Sequence, residues 1–216
     1  MPSPDSHRLL AEGAAALGIA INPQQIEQLH DFSQLIVKWN KTHNLTAITE
    51  INEILIKHIL DSLSLSAHLP NGSILDVGSG AGLPGVPLSV VNTNKPFTLV
   101  DSSAKRVAFL KEVRRKLALT NITPVHCRVE DLTEQKFDII TCRAFSSITD
   151  LVQKTEHLLA EQGCWLAMKG VYPETEIDEI RAYYTVKTPV RLQVPGLDAE
   201  RHLIQINRKQ LAKGVG

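Results

Sequence analysis

Asp76-Val-Gly78-Ser-Gly80-Ala-Gly82-Leu83-Pro-Gly85 is the stretch of this sequence whose residue types and spacing best suit ligand chemistry. The apolar run Ile74–Val77 predicts a buried parallel strand, and the return of apolar residues over Leu83–Val91 predicts a helix. Glycines between the two accept positive φ and bring bare backbone against a ligand, while the helix start offers unpaired N–H groups. Gly80, Gly82 and Gly85 satisfy the dinucleotide pattern GxGxxG, and Asp101 closes a second apolar run, Phe97–Asp101, about where a ribose-binding acid belongs. Asp76 argues against a dinucleotide. A carboxylate two residues before the first glycine repels a pyrophosphate and suits a cation.

S-adenosylmethionine (SAM) carries a sulfonium and an α-ammonium and no phosphate, and the stretch resembles motif I of class I SAM-dependent methyltransferases. An NAD(P)-dependent oxidoreductase is the competing reading, and a non-catalytic RNA-binding assembly factor on a SAM-type fold is a third. On the SAM reading, Gly78, Gly80, Gly82 and Leu83 line the methionine and ribose part. Asp101 accepts the ribose hydroxyls, unless it caps the helix that starts near Ser103. Val129 and Glu130 follow the third strand, where a backbone N–H meets an adenine ring nitrogen and a carboxylate meets the amino group.

A scaffold must bring these strand ends together. Strands expected at 97–101, 122–127, 137–142 and 163–168 alternate with helices at about 103–119 and 149–160. The alternation predicts an α/β, Rossmann-like fold: a mostly parallel, seven-stranded sheet with helices on both faces and its ligand loops along one edge. Beyond a short helical piece at 173–183, Thr185–Val194 and Arg201–Asn207 read as two longer antiparallel strands. Upstream, helices are expected at 8–19 and 23–40. The second has Asn22 as N-cap, Pro23 at the first position, and a packing stripe of Ile26, Leu29, Phe32, Ile36 and Trp39. After a polar loop, a third helix from about Asn52 to Leu69 sets His58 and Asp61 three apart on one face, within reach of each other. The organisation is an N-terminal helical extension, 1–70, packed on a SAM-binding domain, 71–216.

With 216 residues and 43% of them hydrophobic, the chain supports one sizeable core and leaves little room for the separate catalytic domain of a dehydrogenase. Lys+Arg 23 against Asp+Glu 23 excludes a uniformly basic, nucleic-acid-coating surface, though not local patches. Cys127, Cys142 and Cys164 form no CxxC pair and are expected to be reduced and buried. No signal segment or membrane-length apolar run is present, so a cytoplasmic, soluble monomer is expected.

Lys38-Trp39-Asn40-Lys41, Asn44-Leu45-Thr46, His58-Ile-Leu-Asp61-Ser62-Leu63, Asp76 to Gly85, Asp101-Ser102, Lys105-Arg106, Arg143-Ala-Phe145, Lys169-Gly170 and Arg201-His202-Leu203 occur in this order. Together they resemble the bacterial 16S rRNA guanine-N7 methyltransferase family, RsmG, formerly GidB, over nearly the whole chain. The resemblance implies the class I fold, SAM as methyl donor, and a guanosine in the 530 loop of 16S rRNA, in the small ribosomal subunit, as acceptor. It adds Asp76 and Ser102 to the SAM contacts. It also gives Arg143 a contact with SAM, the favoured reading, or with RNA. Lys105, Arg106, Arg114, Arg115, Lys169 and Arg201 are the RNA-binding candidates, with a solvated helix surface as the alternative for those between 101 and 116. Guanine N7 has a free lone pair and no proton to lose, so transfer needs alignment and desolvation rather than a general base. No metal is implied, and Arg143, His58 and Asp61 are positioning candidates.

Overall fold

Every residue of β1 (Ile74–Val77) and β2 (Phe97–Asp101) is buried, so both strands have protein on each face and read as unbroken apolar runs. The computed structural model describes residues 4–133 and 135–209; the outer ends of the two expected domains, 1–3 and 210–216, lie outside the described residues. β3 (Ile122–His126), β4 (Phe137–Arg143) and β5 (Leu159–Lys169) continue the parallel set. β8 (His202–Arg208) runs antiparallel to β5, and β6 (Tyr184–Val186) lies beyond it, giving the order β3-β2-β1-β4-β5-β8-β6.

The long strand expected over Thr185–Val194 is instead two pieces, β6 and β7 (Val190–Arg191), each paired with β8. Pro189 between them has no N–H to donate to the ladder, so pairing lapses there. Among the described residues seven strands lie in line and β7 is an eighth beside them.

Side chains of β1 alternate between two cores. Ile74 joins a cluster with Leu88 of α5 (Gly85–Val91) and Leu110 of α6 (Ala104–Lys116), while Leu75 and Val77 join Leu151 of α7 (Ile148–Thr155) and Ile177 of α8 (Glu174–Arg181). The first cluster also takes in Leu10 of α1 (Pro4–Ala16) and Leu29, Phe32 and Ile36 of α2 (Pro23–His43). α2 opens with the expected Asn22 cap, completed as a capping box by Gln25. It is fastened to the sheet side by Gln25 Nε2, donating to the Val90 carbonyl at 2.9 Å, and Gln28 Nε2, donating to Leu117 at 2.8 Å.

The third expected helix is segmented: α3 (Ile51–Ile54), a π-type turn (Leu55–Leu60), α4 (Asp61–Leu63) and a 3₁₀ turn (Ser66–His68). Cys142 and Cys164 are buried free thiols, whereas Cys127 is only half-buried, because it sits on a loop beyond β3. Among the described residues no helix is long and apolar enough to cross a membrane.

Candidate functional site

Strand order reverses between β1 and β4, and a cleft opens outside the carboxyl ends there, as expected for an open α/β sheet. Its volume is about 270 Å³, and Gly78, Asp101, Ser102, Val129 and Glu130 line it together with Cys127, Arg128, Phe145 and Lys154. Gly78 and Gly80 have φ of 65° and 56°. A Cβ on Gly78 would meet only Phe145, at 3.9 Å, and one on Gly80 only the Gly78 carbonyl, at 3.7 Å, so the floor here is bare backbone under open space. Asp101 is 4% exposed; Oδ2 accepts the Gly80 N–H at 2.9 Å and Oδ1 the Ser103 N–H at 2.8 Å. Ser103 itself caps α6, its Oγ accepting the Arg106 N–H. Asp101 is therefore not the helix cap, and its oxygens keep lone pairs for a ligand.

Asp76, Gly82 and Leu83, expected among the cofactor contacts, face the other way. Asp76 has no exposed surface: Oδ2 accepts the Gly85 N–H at 2.9 Å, while Oδ1 is buried with no partner among the described residues. Burial, opposed by the Gly85 N–H, pushes its pKa up to about 7. A Cβ on Gly82 would lie 2.7 Å from Val86 and 3.0 Å from Leu110, so this glycine closes the loop against the core. Leu83 follows it inward, 5% exposed. Of the turn, Gly78 lines the cleft; Gly80 does not, and its N–H is held by Asp101 at the edge. Because Asp76 holds the first N–H of α5, that amide is not free to receive a pyrophosphate.

Beside the cleft lies a recess of about 310 Å³, walled by Ile48, Lys57, His58, Asp61, Arg143, Ala144, Met168, Lys169 and Arg201. Arg143 anchors it. Nη1 donates to Asp61 Oδ2 and to the Lys57 carbonyl, both at 3.0 Å, and Nη2 to His58 Nδ1 at 3.0 Å. Asp61 Oδ1 accepts Arg201 Nε at 2.8 Å. A guanidinium only donates, so His58 Nδ1 is the acceptor, and its 3.0 Å approach to the Lys57 carbonyl carries no hydrogen bond. Nε2–H then donates to Thr46 Oγ1 at 2.7 Å. Burial, with Arg143 second, lowers the His58 pKa to about 4, so the ring is neutral at pH 7. The expected His58–Asp61 contact is not formed; Arg143 bonds both instead. His58 lies in the π-type turn, where residues three apart no longer stack as they do in an α-helix.

Ala144 has φ of 59°, and this left-handed residue turns the chain so that Arg143 lines the recess and Phe145 the cleft. Lys169 pairs with Glu176 at 2.8 Å, and Glu176 also accepts the Ile148 N–H. On α6, Lys105 and Arg114 are exposed, Arg106 lies 3.6 Å from Asp101, and Arg115 forks onto Glu112 at 2.9 and 2.8 Å, which cancels its charge locally. Arg128 and Lys154 were not singled out from sequence. Arg128 directly precedes Val129, a position that marks it; Lys154 comes from α7 and meets Glu130, at 3.9 Å, only in the fold.

A family model described as GidB, rRNA small subunit methyltransferase G, matches residues 25–204. The chain belongs to this family. Relatives named ribosomal RNA small subunit methyltransferase G include one from Haemophilus influenzae (strain PittEE), 47% identical over 191 residues, 88% of this chain and 94% of the relative. One from Shigella flexneri is 46% identical over 195 residues, 90% of this chain and 94% of its own. Among solved structures, a SAM dependent methyltransferase from Aquifex aeolicus aligns with a TM-score of 0.56 at 18% identity, over 71% of this chain and 92% of that one. The ribosomal protein L11 methylase of Lactobacillus delbrueckii subsp. bulgaricus aligns at 0.55 and 18%, over 70% and 77%. At such identities these neighbours establish the fold, that of the class I SAM-dependent methyltransferases. Every residue of cleft and recess lies within the region matched by the methyltransferase G family model, whereas α1 lies outside it.

Proposed function

We propose that the protein transfers a methyl group from SAM to N7 of a guanosine in the 530 loop of 16S rRNA, in the small ribosomal subunit, working as a cytoplasmic monomer. The observation that carries this reading is the pair of cavities divided by Arg143-Ala144-Phe145: an open, acid-bearing cleft over bare glycine backbone, and beside it a recess walled by arginines. The cleft fits SAM. Gly78 and Gly80 leave room for close approach, Asp101 and Glu130 supply carboxylates for ribose hydroxyls and the adenine amino group, and Asp76 occupies the amide a phosphate would need. SAM when bound supplies an electrophilic methyl group. Asp101→Ala is expected to lose about 1–3 kcal/mol of SAM affinity by calorimetry; unchanged binding would remove Asp101 from the ribose.

The protein's own work is positioning. His58 has spent its one lone pair on Arg143 and is no base, in keeping with an N7 acceptor that has no proton to lose. Arg143 has three donors engaged, which leaves Nε–H and one Nη2–H for a ligand oxygen. O6 or a phosphate suits these donors; N7 must stay free for the methyl group. Its seat in the recess supports an acceptor contact over the SAM contact favoured from sequence. Arg143→Ala is accordingly expected to cut the methylation rate roughly 10–100-fold, the loss of a charged hydrogen bond, with SAM affinity preserved. A fall in SAM affinity with intact RNA binding would return Arg143 to the cofactor. The assignment itself is tested by mass mapping of small-subunit rRNA nucleosides with and without the gene. An unchanged set of methylated guanosines sinks it, and also leaves the non-catalytic RNA-binding reading in place.

A further inference from the structure

We propose that His7, Glu27 and His30 form a site for a divalent transition-metal ion that clips α1 onto α2. His7 comes from α1, and Glu27 and His30 are three apart on one face of α2. One ligand atom of each lies within 4.8 Å of the others. His7 Nε2 stands 2.8 Å from Glu27 Oε2, and the two imidazoles lie against each other with ring centroids 4.6 Å apart. Two imidazoles and a carboxylate are a nitrogen–oxygen set suited to Zn²⁺, Co²⁺ or Ni²⁺, with water completing the coordination.

A second observation points the same way. His30 is 3% exposed, yet its Nδ1 has no partner among the described residues, and an imidazole nitrogen buried without one is costly unless something occupies it. Its Nε2 lies 3.3 Å from the Gln34 side-chain amide. Half a turn of that amide points its carbonyl at Nε2–H and leaves Nδ1 as a bare lone pair, the support by which an outer residue orients a metal-ligating histidine.

None of the three lines the cleft or the recess, and His7 lies outside the region that the family model matches, so the site is separate from the methyl-transfer chemistry. Its structural effect reaches further. α1 packs on Leu60 at Gly13, where a Cβ would collide with Leu60 at 2.4 Å, and Leu60 precedes Asp61 in the segment that walls the recess.

The test uses the untagged full chain, freed of metal by chelation and titrated with Co²⁺ and with Zn²⁺. One-to-one binding, visible d–d absorption with Co²⁺, and a melting temperature raised by roughly 5–10 °C at a hundredfold excess of Zn²⁺ over its Kd are expected. His7→Ala and Glu27→Gln alter side chains that are 29% and 54% exposed, so both fold, and each should weaken binding at least tenfold. No stoichiometric binding at millimolar ion, or binding that persists unweakened in both variants, overturns the proposal.

Discussion

Asp61→Ala is expected to destabilise the protein by about 3–5 kcal/mol and to abolish methylation, the largest effect of any single substitution in the recess. Asp61 is 2% exposed, and its two oxygens each take one guanidinium, Arg143 at 3.0 Å and Arg201 at 2.8 Å. Those arginine side chains are 20% and 24% exposed, so water reaches them in part and the cost belongs toward the lower end of that range. Without the carboxylate, two like charges share one wall of the recess and Arg143 loses the group that fixes it. Asp61→Asn keeps the shape and an acceptor oxygen but not the charge, and should fall between alanine and the native residue. Urea denaturation of the three proteins, with a methyl-transfer assay on small-subunit rRNA for whichever remain folded, checks both statements. An alanine variant as stable as the native protein would mean that the pair is screened by solvent and contributes nothing to the recess.

Asp76→Asn should change how stability depends on pH. Asp76 has an ordinary pKa of 3.8 in the unfolded chain and one near 7 in the folded protein, raised first by burial. The folded state therefore holds the proton longer. The stability that the protonated form contributes is complete below about pH 4 and is lost progressively as the pH rises to about 7; at about 1.4 kcal/mol per unit, the loss is on the order of 4 kcal/mol. Most structural carboxylates act in the opposite sense, as Asp138 does, its pKa lowered by hydrogen bonds from Ser73. Asparagine never ionises, and it can offer its carbonyl to the Gly85 N–H. The variant should show a flatter profile between pH 4 and 7 and exceed the native protein in stability at pH 8. Denaturation midpoints at pH 5 and pH 8 decide the matter: identical differences in both proteins would mean that Asp76 is ionised throughout.

What could be read from the sequence was local or topological. Ile74–Val77 with its glycines, and Asp101 and Glu130 at strand ends, were legible because a parallel sheet sends every strand's carboxyl end to one edge. Asp76, Gly82 and Leu83 pack inward and do not line the cleft, and the sequence does not show this, because glycine spacing marks a turn but not which half of it faces solvent. α-Helical spacing sets His58 and Asp61 on one face, and the π-type turn breaks that rule. Pro189 stands inside the run Thr185–Val194 that reads as one continuous strand, and it is the signal in the sequence that the pairing breaks there. Arg201 meeting Asp61 across 140 residues, or Lys154 meeting Glu130, leaves no mark on the sequence.

The helices that precede β1 share one buried core with α5 and α6, and the amides of Gln25 and Gln28 bond carbonyls on the far side of the join. Residues from both parts also wall the recess, His58 and Asp61 from one, Arg143 and Arg201 from the other. Docking of the helices and assembly of the recess are thus a single cooperative event. By thermodynamic linkage, a ligand that binds the assembled recess better than the separated parts strengthens the docking of the helices that precede β1, and loosening those helices weakens its binding by the same free energy.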